Sequence, residues 1–411
     1  MTPTFSNQAP TETAVRLGTH SETNSSINAG SLRQDQLAEP ATFYFWRGRV
    51  ALYALLKGLG IGEGDAVIVP GFTCFAVPSA VLFTGARPIY ADIDPATYNV
   101  SLESLQKLDA VQRELPIKAI VVQHTFGVPV DLNRILPWAR ERGIAVIEDC
   151  AHVWGSRYRD SRGEWRDLGT FGDAAFFSSQ WTKPVSTGLG GWTAVRNTVL
   201  AQNVSNFYQT GCPSPTAAAS ALLRIQVTIR SMLSASWIQS AIKVGYQALY
   251  RRGLLVGTST PAELQGRMPV GYAKRMSSFQ RRLLTKRLRS DAVLAHRRRL
   301  KSIYDGLLAA AGLPVFEIPT FSDPVLLRYP IRVSDKRAAL ALAERHHVEL
   351  GDWYTSPVDR PENLNGEVFA YPDGMCPEGE RAGREVVNLP MHLGIDERRA
   401  RQIVQLLKEA A

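Results

Sequence analysis

The chain has 411 residues, 45% of them hydrophobic, and a formal net charge of +9. That length and apolar content support a large core and more than one domain. Cys74, Cys150, Cys212 and Cys376 are widely scattered, with no CxxC pair, which excludes a small disulfide framework and makes the reduced cytoplasm the expected compartment. The N-terminus lacks a charged start followed by an apolar run, and no stretch reaches the roughly 18–20 apolar residues of a membrane span, so neither a secretory signal nor a transmembrane helix is expected. The positive charge suits phosphorylated ligands or an anionic membrane face. It is densest between Arg281 and Lys301 at helical spacing, which reads as a solvated helix face. With no zinc-ligand pattern or RNA-recognition signature beside it, nucleic-acid binding is not expected.

Residues 1–38 are rich in Ser, Thr, Asn, Gln and Ala and read as a disordered tail. From Phe43 the pattern turns to alternating helix and strand. RVALYALLKGLG is an amphipathic helix ended by Gly60, and AVIVP, PIYAD, AIVVQ and IAVIED are apolar and strand-length. This rhythm predicts an α/β domain over residues 39–270, a mainly parallel sheet sandwiched by helices, with ligands at the carboxyl ends of the strands. Asp131 is the expected cap of the ILPWARER helix. At about 200–270 a helical insert interrupts the rhythm. Leu222, Ile225, Ile229, Met232 and Leu233 fit an apolar stripe, and Trp237, Tyr246, Tyr250, Arg251 and Arg252 follow. A lid within or between subunits is the expectation, membrane-surface contact the alternative. Residues 271–310 read as one long connecting helix, on the pattern SFQRRLLTKRLRSDAVLAHRRRLKSIYDGLLAAAG that runs on to Gly312. Residues 311–411 read as a smaller C-terminal α+β domain.

The chemistry concentrates in Phe176 to Gly191, FFSSQWTKPVSTGLGG. A short apolar run delivers two serines, Lys183 follows five residues after the first, and a small, flexible TGLGG turn comes next. A lysine held near a strand end loses solvation, drops its pKa and can attack a carbonyl. Upstream, IAVIEDCAH is a buried-strand pattern ending in Asp149. A lysine and a strand-end aspartate are the minimum equipment for pyridoxal phosphate (PLP): one forms the imine, the other keeps the pyridine nitrogen protonated.

The blocks GLGIGEGDAVIVPGFTCFAVPSAVLFTGARPIYADIDPATYNV, HTFGVPVDL, VIEDCAHVWGS, GTFGDAAFFSSQWTKPVSTGLGG, GYAKRMSSFQ, YPIRV and VVNLPMH follow in one order from about Phe43 to the C-terminus. In that order the chain resembles the DegT/StrS-type sugar aminotransferases. The resemblance implies PLP fold type I, with a seven-stranded-type sheet. It implies that Lys183 is catalytic and carries the cofactor, that Ser178 meets the phosphate, that Asp149 meets the pyridine nitrogen and that His152 lies near the ring. RGRVAL stands where the family has SGTSAL. Gly48 is kept and Arg49 stands at a hydroxyl position, where its guanidinium could hold the phosphate instead. Ala273, Leu189 and Cys74 also depart from the pattern, Ala273 at the Asn that reaches the partner subunit's phosphate. His124 is either near the site or a packed histidine, Trp353 and Tyr354 border the substrate in relatives, and His392 reads as structural. No metal is implied. The implied reaction is amination of a nucleotide-linked keto sugar, with glutamate as donor, in polysaccharide or secondary-metabolite biosynthesis, by a cytoplasmic homodimer with shared sites. The alternatives are a PLP-dependent deoxysugar dehydratase, in which a histidine replaces the lysine, and a non-catalytic PLP-binding regulator.

Overall fold

The computed structural model describes residues 36–108, 115–232, 257–359 and 366–410. Its central sheet runs Gln36–Ala41, Gly191–Asn197, Ala174–Ser178, Ala145–Asp149, Ile117–Gln123, Ala66–Pro70, Arg87–Ala91, and Tyr44–Phe45 adds an eighth strand beside Gly191–Asn197. The five strands from Ala174–Ser178 to Arg87–Ala91 pair in parallel, and Gly191–Asn197 is antiparallel to its neighbours. The expected α/β fold is therefore present, with seven strands in the main path. The strands show no polar alternation because both faces are covered. Val67 and Val69 pack with Leu52, Leu55 and Leu200 on one face, while Ile68 packs with Ile135 and Trp138 on the other.

Register brings three strand ends together: Asp149 lies opposite Gln123 on one side and Phe176 on the other. A second sheet pairs Arg328–Arg332 with Val386–Pro390. The helices Ala292–Ala311 and Glu397–Ala410 pack on it through Leu300, Tyr304, Ile403 and Leu407. Thr73–Cys74 pairs in parallel with Val358–Asp359. That short pairing stitches the C-terminal part to the mouth of the central sheet.

Three local expectations are corrected. The long connecting helix is two helices, Ser278–Leu288 and Ala292–Ala311, parted at Ser290 and Asp291. Such side chains compete with the helical backbone bonds, which makes the pair a natural break. In the helix Ala217–Met232 the buried face is Leu223, Gln226 and Val227, whereas Ile225 and Ile229 are about half exposed. Asp131 stands at the N-cap of Leu132–Glu141 but its side chain does not cap. The Tyr158 hydroxyl takes over that role, accepting from Asn133 N–H at 2.8 Å and donating to Asp131 at 3.1 Å. The aromatic, basic stretch from Trp237 to Arg252 and most of the N-terminal tail lie outside the described residues.

Candidate active site

Lys183, Asp149, His152, Ser178, Gly48 and Arg49 all line one cavity of about 800 Å3, counting its open mouth. Gln123, Cys74, Trp353, Tyr354 and Thr258 complete much of its wall. The cavity opens where the strands Ala145–Asp149 and Ala174–Ser178 end, the place an α/β sheet offers a ligand.

Lys183 hangs from the loop after Ala174–Ser178. Its N–H donates to the Gln180 carbonyl at 2.9 Å. The base of the loop is cinched by Ser179 N–H to Gly190 O (2.9 Å), Thr187 N–H to Ser179 O (2.7 Å) and a Ser179–Thr187 hydroxyl contact (2.7 Å). Gly188 and Gly190 have φ of 83° and 150°, conformations that side chains rarely adopt, so the TGLGG turn needs its glycines there. Leu189 between them is buried with Trp46, Leu223 and Val227. The departure at this position thus fits the helix Ala217–Met232, which covers the turn with apolar side chains. Burial lowers the Lys183 ammonium to about 8, against the opposing influence of Cys74 and Asp149.

Asp149 is 4% exposed. One of its oxygens accepts from Ala151 N–H at 2.9 Å. Burial raises its carboxyl to about 6, although the Ala151 N–H and Lys183 pull the other way. His152 is equally buried, and burial holds its pKa well below the usual range, so it is neutral. Its Nδ1 accepts from Phe126 N–H at 3.2 Å. The ring proton therefore sits on Nε2 and is donated to the Tyr354 hydroxyl oxygen, also at 3.2 Å. Trp353 stacks on His152 at 5.9 Å between centroids. The result is a rigid aromatic wall from two distant parts of the chain.

The opposite end is built around the N-terminus of the helix Gly48–Gly58, which has no side-chain cap. A Cβ on Gly48 would lie 2.8 Å from Ser178 Cβ, and one on Gly191 would collide with the Gly48 backbone. Only hydrogen at these positions lets helix and strand meet. Gly48→Ala is therefore expected to lower Tm by several degrees, at about 1–3 kcal/mol of overpacking, and to weaken PLP binding. Unchanged melting and PLP titration would show that the helix simply yields. Arg47 and Arg49 both point to Glu263: Arg49 Nη1 is 2.8 Å from Oε1 and Arg47 Nη1 is 3.3 Å from Oε2. Thr260 N–H also donates to Glu263 at 2.7 Å. Burial alone would raise the Glu263 carboxyl, but Arg49 and Arg47 outweigh it and hold it below the usual range.

His124, Glu148 and Cys150 also converge. Glu148 accepts from Gly169, Phe171 and Gly172 N–H and from His124 Nε2, while His124 Nδ1 accepts from Val130 N–H. The carboxylate and both imidazole nitrogens are already used, and burial pushes the Cys150 thiol well up and keeps it protonated, so the cluster braces the back of the strand that carries Asp149. His392 is half exposed and paired with Glu349 at 2.8 Å.

A model of the DegT/DnrJ/EryC1/StrS aminotransferase family matches residues 46–408. The chain belongs to that family. Its enzymes use PLP. GDP-perosamine synthase of Escherichia coli O157:H7 is 38% identical over 160 residues, 39% of this chain and 42% of that protein. The chain thus spans less than half the length of the curated relatives it matches at this identity. A "Pleiotropic regulatory protein" of Geobacillus stearothermophilus is 25% identical over 370 residues, 88% of this chain and 82% of that protein. Among solved structures, a DegT DnrJ EryC1 StrS aminotransferase from Brucella abortus superposes with a TM-score of 0.68 at 22% identity, covering 91% of this chain and 86% of that one. This last likeness shows the fold.

The residues present fit PLP. A buried carboxyl raised to about 6 wants a cationic partner, which a pyridinium N–H supplies. A lysine lowered to about 8 is partly neutral near pH 7 and can condense with an aldehyde. Gly48, Ser178 and the uncapped helix start leave a polar end for phosphate. Sequence reasoning missed Glu263, although Thr260-Pro-Ala-Glu263 is a readable capping box and forms as one. It also missed Arg328, whose guanidinium lies 4.3 Å from the Trp353 ring centroid.

Proposed function

We propose that this protein is a PLP-dependent aminotransferase that converts a nucleotide-linked keto sugar to an amino sugar, with glutamate as amino donor. The observation that carries the reading is the meeting of Lys183, Asp149, Ser178 and Gly48 in one cavity at the carboxyl ends of the parallel strands. The perosamine synthase relative supports a sugar substrate. Polysaccharide or secondary-metabolite biosynthesis is the matching role.

When bound, PLP supplies the electron sink for the pair left on the substrate carbon. Asp149 holds the proton on the ring nitrogen, and its burial makes that pairing strong. Lys183 would hold the cofactor through its Nζ, and as a free amine lowered to about 8 it would serve as the base that moves the substrate proton. His152 stays neutral because both ring nitrogens are committed, so it walls the site without competing for the proton. Ser178 and the N–H groups at Gly48 receive the phosphate. Arg49 joins them by giving up part of its pairing with Glu263. Arg49→Ala should raise the PLP dissociation constant roughly tenfold or more, since a charge-assisted bond contributes about 1.5–3 kcal/mol. Equal PLP affinity in both proteins would leave Arg49 as a partner of Glu263 alone.

The test of the reaction is incubation with nucleotide keto sugars and glutamate, read by product mass. Turnover of none of them, in protein that takes up PLP at Lys183, would favour the non-catalytic reading. That reading draws on the regulatory relative, which matches over most of both chains. Lys183 opposes the dehydratase alternative. All four cysteines are free thiols, which supports a cytoplasmic setting. A homodimer is part of the proposal: Val270 is fully exposed and Met268 is 43% exposed, beside the 271–276 segment that the family resemblance places near the partner's site. Sedimentation of a lone monomer at micromolar concentration would count against it.

A further inference from the structure

Between Asp173 and Asp291 the sequence holds a single acidic residue, Glu263, and that carboxylate is buried and paired with Arg47 and Arg49. No acid of this stretch is left to offset its surface charge. Two helices of the stretch lie side by side. Leu223 and Val227 of Ala217–Met232 share one apolar cluster with Phe279 and Leu283 of Ser278–Leu288. Their inner sides hold the turn that follows Lys183. Val227 and Leu223 crowd Gly188, and Gln280 Nε2 donates to the Leu189 carbonyl at 2.6 Å.

The outward sides carry a different chemistry. Ala217–Met232 exposes Ile225 and Ile229, 53% and 49% accessible and one helical turn apart. Arg224 and Arg230 are exposed beside them. Ser278–Leu288 exposes Arg281, Arg282 and Lys286. A shallow groove of about 710 Å3, counting its open mouth, runs along that helix and is lined by Ser278, Arg281, Arg282 and Thr285. Among the described residues none of these basic groups is in an ion pair. Arg230 and Arg281 instead lie over the rings of Trp181 and Tyr44, at 5.2 and 4.8 Å from the centroids.

Exposed isoleucines among arginines, with no acid on either helix, suit the headgroup boundary of an anionic bilayer. There the isoleucines leave water and the guanidinium groups meet lipid phosphates. A second copy of the chain is a poor match, because face against face it sets arginine against arginine. A nucleic-acid backbone would satisfy the arginines and leave the isoleucines in water.

We propose that the outer face of Ala217–Met232 and Ser278–Leu288 docks the protein on an anionic phospholipid surface. Ile225 and Ile229 enter the headgroup boundary, and Arg281 and Arg282 hold lipid phosphates in the groove. None of these side chains lines the cofactor cavity, so docking goes beyond the aminotransferase reading and does not depend on it.

The full chain, with PLP added, is mixed with vesicles of phosphatidylcholine alone or of phosphatidylcholine with phosphatidylglycerol, and binding is read by flotation. Wild type should float with the anionic vesicles and not with the neutral ones. Raising salt from about 0.1 M to about 1 M should release most of it. Arg281→Glu combined with Arg282→Glu should lower the vesicle partition coefficient at least about tenfold. Ile225→Ser combined with Ile229→Ser should lower it at least about threefold, a loss that electrostatic adhesion by itself would not show. All four positions are exposed, so both variants should keep the wild-type Tm and the absorbance of lysine-bound PLP. Failure of the wild type to float with anionic vesicles overturns the proposal without recourse to any variant. Equal flotation of the wild type and either variant overturns it as well. Two further results count against it: a short DNA duplex that binds as tightly as the vesicles and is indifferent to the isoleucines, and an oligomer that the isoleucine variant breaks apart.

Discussion

Lys183→Ala is expected to reduce turnover by at least about 10³-fold, in keeping with removal of a general base, and to abolish the visible absorbance of lysine-bound PLP. Two functions fail together. The covalent anchor disappears, and so does the group that moves a proton between the two carbons. Folding should survive, because the loop is held by Ser179, Thr187 and Gly190 and not by the lysine side chain. Melting of the variant near the wild-type temperature, together with lost turnover, is the expected result. Retained turnover would move the chemistry to another residue.

The second large effect is at Asp149, and it has opposite signs for activity and stability. Asp149→Asn should lower turnover about 10²-fold or more, on the order of 3 kcal/mol in barrier, because the ring nitrogen loses its counter-charge. In the protein without PLP the same change should stabilise at neutral pH. The native carboxyl is raised from 3.8 to about 6, so the native state holds its proton more tightly than the unfolded chain. The resulting contribution is complete below the unfolded pKa and is lost as pH rises through about 6. At about pH 7.5 the wild type carries a buried carboxylate that the amide avoids, a difference of roughly 2–3 kcal/mol. The variant should melt higher there, and the gap should close as pH falls toward about 4. A variant that melts lower at both pH values would show that the carboxylate supports the fold directly.

The central sheet was legible because its strands are apolar throughout and separated by helical rhythm, a pattern only a two-sided layer satisfies. Asp149 was legible because it ends a strand that can be read locally, and Lys183 because it follows five residues after the end of another. What the chain did not reveal was long-range pairing. Nothing near Arg49 foretold Glu263, more than 200 residues away, as its partner. The helix at 217–232 was legible as a helix, but its buried side was not. Ile225 and Ile229 are as apolar as Leu223 and Val227, and only the position of Leu189 and Trp46 decides which pair is covered. Arg297 reads in sequence as one of many basic residues on a solvated helix. Its neighbours Arg298 and Arg299 are indeed exposed, while Arg297 shares the buried face of the helix with Leu300 and Tyr304.

The chemistry of the site turns on the identity of one lysine. Borohydride reduction of the PLP-loaded protein, followed by digestion and mass spectrometry, reads it without reference to any substrate. A single pyridoxyl group on the peptide that contains Lys183 is the predicted result, and a label on a different lysine, or none, would contradict it.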